Sequence, residues 1–120
     1  MSQYVDVGYR AVILTEAVAQ YLRTDATGTL CGITERGIGV NMTSPGDIAD
    51  VVNVALWSKA GTVKVIAAAA ISKDAICYSA ASGKVSVSAS TAYPLGIALE
   101  AAGADGDIIE MMPLVGETVV

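Results

Sequence analysis

The side chains able to do chemistry are few and acidic on balance: twelve carboxylates, seven Lys or Arg, two cysteines and no histidine in 120 residues. Without imidazole the chain can build no histidine-based triad or dyad, no zinc-protease helix and no imidazole metal site. A cysteine nucleophile needs a neighbour that activates its thiolate. Cys31 and Cys77 each sit among apolar or neutral residues, where a thiol is inert. They read as two separate buried thiols and not as a disulfide.

Other fragments resemble sites but lack essential parts. Gly32 and Gly37 have the spacing of a phosphate loop, yet Ile38 and Gly39 stand where that loop needs Lys and Ser or Thr. Gly37-Ile38-Gly39 is only a piece of a dinucleotide fingerprint, and turn glycines are the better reading. Asp105, Asp107 and Glu110 offer hard oxygen ligands for calcium without the full loop pattern, and Asp47 and Asp50 form the matching acidic pair earlier in the chain. Solvated turn carboxylates are expected at both places, with no metal and no cofactor. Asn41-Met42-Thr43 fits a glycosylation acceptor, but residues 1–10, MSQYVDVGYR, lack the charged-then-apolar layout of a secretion signal. The expectation is therefore a chain that stays in the cytoplasm or is assembled there. The seven cations, Arg10, Arg23, Arg36, Lys59, Lys64, Lys73 and Lys84, are scattered through a chain of net charge −5. No primary nucleic-acid partner is expected, because counterion release needs clustered positive charge.

What must position any site is a small apolar chain. Scaling laws give a 12.2 kDa protein roughly 6,000 Å² of folded surface against about 18,000 Å² extended, enough burial for one domain. Mean hydropathy is +0.56, but the longest apolar run, residues 65–71, is mostly alanine and far short of the ~20 residues that span a bilayer. No membrane partner is expected. Phe is absent and aromatics make up 5%, so Val, Ile, Leu and Ala must fill the core, which favours thin sheets whose backbones approach closely.

Alternation of apolar and polar residues marks the strands. It is strongest over residues 84–90 (KVSVSAS), preceded by Ala75-Ile76-Cys77-Tyr78 and joined to it by the hairpin-type connection 79–83. A second hairpin is suggested where residues 51–57 give way to 62–66 across residues 58–61. The arm 51–57 also fits helical spacing after a possible Asp47 cap, but its β-branched residues favour strand. An internal repeat supports this. Ala17-Val18, Gly28, Ile38-Gly39-Val40 and Pro45-Gly46-Asp47-Ile48 are followed in the same order by Ala70-Ile71, Gly83, Leu95-Gly96-Ile97 and Asp105-Gly106-Asp107-Ile108. The matched glycines Gly28 and Gly83, Gly39 and Gly96, and Gly46 and Gly106 are 55, 57 and 60 residues apart, a drift that belongs in loops. Two β units that cover each other's apolar faces predict a mainly β fold, a small single-domain barrel or sandwich.

One ordered set of segments carries a resemblance: Ala70-Ile71-Ser72-Lys73-Asp74-Ala75-Ile76-Cys77-Tyr78, then Gly83-Lys84-Val85, then Gly96-Ile97-Ala98-Leu99-Glu100-Ala101, then Gly106-Asp107. The chain resembles, over about residues 11–112, the small capsid decoration (cement) proteins of tailed bacteriophages and prophages, a group long known as a domain of unknown function. Lys73-Asp74 departs from that family's Gly-Asp at one turn. The resemblance implies a mainly β protein on the outer surface of an expanded phage head, often trimeric at local threefold positions, that bridges major capsid protein subunits and is made in the host bacterial cytoplasm. It implies no active site and no cofactor. Net negative charge agrees with a place outside a shell packed with DNA phosphate.

The expected layout is an arm over residues 1–10, a β domain over 11–112 with repeats at about 11–57 and 62–112, and a tail over 113–120. In the arm, Tyr4, Val5, Val7 and Tyr9, with Arg10, could add as a strand to a capsid sheet, or simply form the domain's own first strand. Trp57, the only tryptophan, is a contact anchor if exposed and core if buried. A carbohydrate-binding or host-attachment β domain stays open, to be recognised by sugars stacking on Trp57 or the tyrosines. So does acid-only catalysis on Asp47, Asp50, Asp105 and Asp107.

Overall fold

A computed structural model gives the structure and describes residues 8–58, 61–89 and 92–113. The chain is mainly β, with no α-helix among the described residues. The first half contributes β1 (Tyr9–Ile13), β2 (Arg23–Thr24), β3 (Gly39–Asn41) and β4 (Val51–Leu56). The second half contributes β5 (Val63–Ile66), β6 (Ile76–Ser79), β7 (Val85–Ser86), β8 (Pro94–Ala98) and β9 (Ile108–Pro113). One sheet has the order β1-β4-β3-β2 and the other β5-β9-β8-β6-β7, with every named strand pair antiparallel.

These two orders are one topology drawn twice. Val12 opposes Val52 as Val65 opposes Ile109, and Ala11 opposes Asn53 as Lys64 opposes Glu110. Arg23 opposes Val40 as Ile76 opposes Ile97, and Val40 opposes Ala55 as Ile97 opposes Met112. The early strands of the two halves are therefore 53 residues apart and the later strands 57. The loops repeat too. Leu14 donates to Asp50 and Ala49 to Leu14 as Ala67 donates to Asp107 and Gly106 to Ala67. Tyr21 and Asp74, which correspond, share a left-handed backbone at φ 71 and 70, so the turn at Lys73-Asp74 survives the missing glycine.

Four sequence expectations change. Of the matched glycines, only Gly39 and Gly96 correspond. Hydrogen bonding sets Gly28 against Val85, because Thr15 donates to Gly28 as Ala68 donates to Val85, and sets Ala49 against Gly106. The expected strand over 51–57 forms as Val51–Leu56, but makes no hairpin with 62–66: both sides of β4 are already occupied by β1 and β3, and β5 pairs with β9 in the other sheet. Tyr9 and Arg10, placed by sequence in the arm, are the first residues of β1 and pair with Ala55 and Val54. The 76–86 hairpin forms as expected through a 3-10 turn at Ala81–Gly83, but its second strand stops at Ser86. Beyond it lies only an isolated parallel bridge from Val85 to Ala67, with Ala68 donating to Val85, and alternation alone does not hold a strand without a ladder.

The sheets stack asymmetrically. In the first unit Val12, Leu14, Val18, Val52 and Val54 form a core of their own, rimmed by half-buried Leu22, Leu30, Ile38 and Leu56. The opposite face of that sheet, through Val40, Ala55 and the adjoining Trp57, enters the larger core of the second unit with Val63, Val65, Val85, Leu95, Ile109 and Met111. Each fully buried aliphatic side chain stabilises the fold by roughly 1.5–3 kcal/mol. The accessible surface of 5987 Å² matches one compact body of this mass.

Candidate functional site

The carboxylates that the sequence singles out are held as turn acceptors. Asp50 accepts from the Asp47 amide at 2.9 Å. Its counterpart Asp107 accepts from Gly103 at 2.8 Å and Ala104 at 3.2 Å. Asp105 instead pairs with Lys84 at 2.8 Å, and Glu110 accepts from Thr62 Oγ1 at 2.6 Å. Among the described residues no group of three or more His, Cys, Asp or Glu is placed to hold a metal ion. Asn41 of the glycosylation triplet is fully buried, its amide nitrogen donating to the Val18 carbonyl at 2.8 Å. Cys31 and Cys77 are free and buried, and burial pushes both thiols up to about 11, so they stay protonated and unreactive near neutrality.

Arg23, one of seven scattered cations in the sequence, has no exposed surface. Its Nε donates to the Lys84 carbonyl at 3.1 Å and one terminal nitrogen donates to Glu35. The other terminal nitrogen donates to Gly32 at 3.0 Å and to Ala80. Burial lowers its pKa to about 10, which leaves the guanidinium charged at neutral pH. The loop with phosphate-type glycine spacing is thus wrapped around a cation of its own chain. Two of Arg23's acceptors come from the hairpin of the second unit. That hairpin carries the four residues by which the repeat offset grows from 53 to 57. The same hairpin donates from Gly83 to Cys31 at 2.8 Å and from Ser79 Oγ to Ile33 at 2.6 Å. The insertion is a latch between the two units.

Of the residues that sequence proposed for partner contact, Tyr4, Val5 and Val7 lie outside the described residues. Tyr9 is half-buried against the larger core, and Arg10 is half-buried in β1. Trp57 is buried, with Nε1 donating to the Gly37 carbonyl at 3.0 Å, so it is core and not a surface anchor. The structure brings other residues to the surface. Ile13 and Val51 are direct cross-strand neighbours, each 63% exposed, with Ile48 close by in sequence at 66%. The equivalent pair in the second unit is Ile66 and Ile108, half-buried and exposed respectively. The signal was present in the doublets Val51-Val52 and Ile108-Ile109, which put apolar side chains on both faces of a strand where one face would satisfy a core.

A family model described as phage cement protein matches residues 6–113, which includes every described strand of both units. The chain belongs to the phage cement protein family. No curated protein and no solved structure matches it. A phage cement protein is a structural component with a capsid-stabilising role and a place on the virion capsid, and the family is not a known enzyme class. Among the described residues, no helix is long and apolar enough to cross a membrane.

Proposed function

We propose that the protein binds the outer surface of an expanded phage head, as a trimer at local threefold positions, and stabilises the shell by bridging neighbouring major capsid protein subunits. In this reading it is made in the host bacterial cytoplasm and needs no cofactor, nucleic acid or membrane. The family match carries the reading. The duplicated architecture supplies its mechanism: each unit presents the same outward apolar pair, Ile13 with Val51 and Ile66 with Ile108. One chain then offers two similar contacts, and a trimer six, so modest interfaces add up through effective concentration. Tyr4, Val5 and Val7 supply a further contact by adding a strand to a capsid sheet.

Expanded heads lacking decoration, incubated with the purified protein, test these surfaces. The Val51→Lys/Ile108→Lys variant changes two exposed positions and is expected to weaken head binding at least ~10-fold while remaining folded. Removal of residues 1–7 should have an effect of the same sign. If both variants decorate heads as the parent does, these surfaces are not the capsid contacts.

A further inference from the structure

Both units turn an apolar pair outward, but the charges around the pair differ between them. Ala11 and Asn53 stand opposite each other in the first unit where the second has Lys64 and Glu110. The loops diverge in the same sense. Ala49 corresponds to Gly106 and Gly28 to Val85, so Ile48 takes the place of Asp105 and Thr27 that of Lys84. In the second unit Lys84 and Asp105 close on each other at 2.8 Å. In the first, Thr27 is exposed and Ile48 is 66% exposed, so a bare isoleucine replaces an ion pair.

The first unit has lost both cations and kept its carboxylates. Glu16, Asp47 and Asp50 lie in the loops that leave Ile13 and enter Val51, and these loops are tied together: Leu14 donates to Asp50, Ala49 to Leu14 and Thr15 to Gly28. Residues 11–22, 24–35 and 37–58 contain no Lys or Arg. Arg10, paired with buried Val54, leaves β1 on the face opposite to Ile13. Arg36 adjoins Gly37, which holds Trp57 at the far end of the sheet from Val51. Carboxylates at the edge of an apolar contact act mainly by drawing in a positive surface and turning away a negative one.

We propose that, on the capsid-binding reading above, the patch Ile13, Ile48 and Val51 receives a surface of the major capsid protein on which apolar side chains are flanked by Lys or Arg. The second unit, with Lys64 and Lys84 set among Asp105, Asp107 and Glu110, makes its contact without that demand. The two units share an apolar centre and are not interchangeable on the lattice, because charge decides which of them meets the basic site.

The test follows association of the purified protein with undecorated expanded heads at about 50 and about 500 mM salt. The parent's association rate should fall at least ~10-fold between the two, with little change in dissociation. Asp47→Lys alters an exposed side chain and should slow association about 5- to 10-fold at low salt and leave it unchanged at high salt. Glu16→Gln, whose amide oxygen can still accept from Leu30, should act in the same direction. Asp105→Lys makes the same change in net charge in the second unit and should slow association less than about 2-fold. Val51→Ala should instead speed dissociation at both salt concentrations. Equal slowing by Asp47→Lys and Asp105→Lys assigns the effect to net charge and overturns the inference while head binding stands, as does association that ignores salt. Self-association of the parent that Asp47→Lys abolishes seats a second copy on the patch and overturns it too. Heads that bind no protein overturn the capsid reading, and the inference with it.

Discussion

Replacing Arg23 with methionine is expected to lower the unfolding free energy by about 3–5 kcal/mol, although the change removes a charge and adds an apolar side chain of similar length. Four carbonyls, those of Gly32, Glu35, Ala80 and Lys84, converge on this guanidinium. An acceptor left buried without a donor loses its water and gains nothing in return. The release of the guanidinium from burial offsets only part of that loss. For a domain of this size the change corresponds to a melting point lower by roughly 12–20 °C. Arg23→Lys should recover little, because an ammonium on a flexible stem cannot reach acceptors spread around a planar fork. A solvent-facing arginine would shift the melting point by less than about 2 °C. That outcome for Arg23→Met would mean that the latch hairpin does not hold the two units together.

The second large effect concerns Gly39 and Gly96, corresponding positions in β3 and β8. A Cβ on Gly39 would lie 1.9 Å from the Ala55 carbonyl oxygen, and one on Gly96 would lie 2.3 Å from that of Met112. Both obstacles are backbone of the neighbouring strand, so the sheet itself would have to open. Alanine at either position is expected to destabilise by about 2–4 kcal/mol, read by denaturant unfolding. Gly32→Ala is the control, since its Cβ would meet only the Glu35 carboxylate at 3.5 Å, and it should change stability by less than about 0.5 kcal/mol. Equal, mild effects at all three positions would show that the β3–β4 and β8–β9 pairings are wrong.

These two predictions also mark what was legible in the sequence. The mainly β class, the two units and the strand at 51–56 follow from apolar alternation and from the order of repeated features, and the Gly39–Gly96 match follows from sheets packed too closely for a side chain. The other glycine matches failed for a physical reason. The position that requires a left-handed backbone holds Ala49 in one unit, at φ 70, and Gly106 in the other, at φ 96, so matching glycine to glycine selects the wrong neighbour. Arg23 was invisible because burial of a cation depends on carbonyls far along the chain. Nothing in Tyr21-Leu22-Arg23-Thr24 distinguishes it from a surface arginine. Trp57 was ambiguous for the converse reason: its burial depends on a unit that begins only after it.

The proposed apolar pairs were hidden for the same reason. Sequence directed attention to the alternating first residues, whereas the exposed apolar pairs Ile13–Val51 and Ile66–Ile108 become neighbours only once β1 pairs with β4 and β5 with β9. Their equivalence in the two units is a property of the fold that no single stretch of chain displays. In the proposed role, that equivalence lets one small chain meet two similar sites of a repeating lattice.

The most direct measurement is to titrate expanded, undecorated heads with the purified protein and count bound copies per shell by cryo-electron microscopy, then heat the heads. The proposed role predicts saturation at three copies per local threefold site and a higher temperature of head rupture. Heads that bind no protein, or bind it without becoming harder to disrupt, would contradict it.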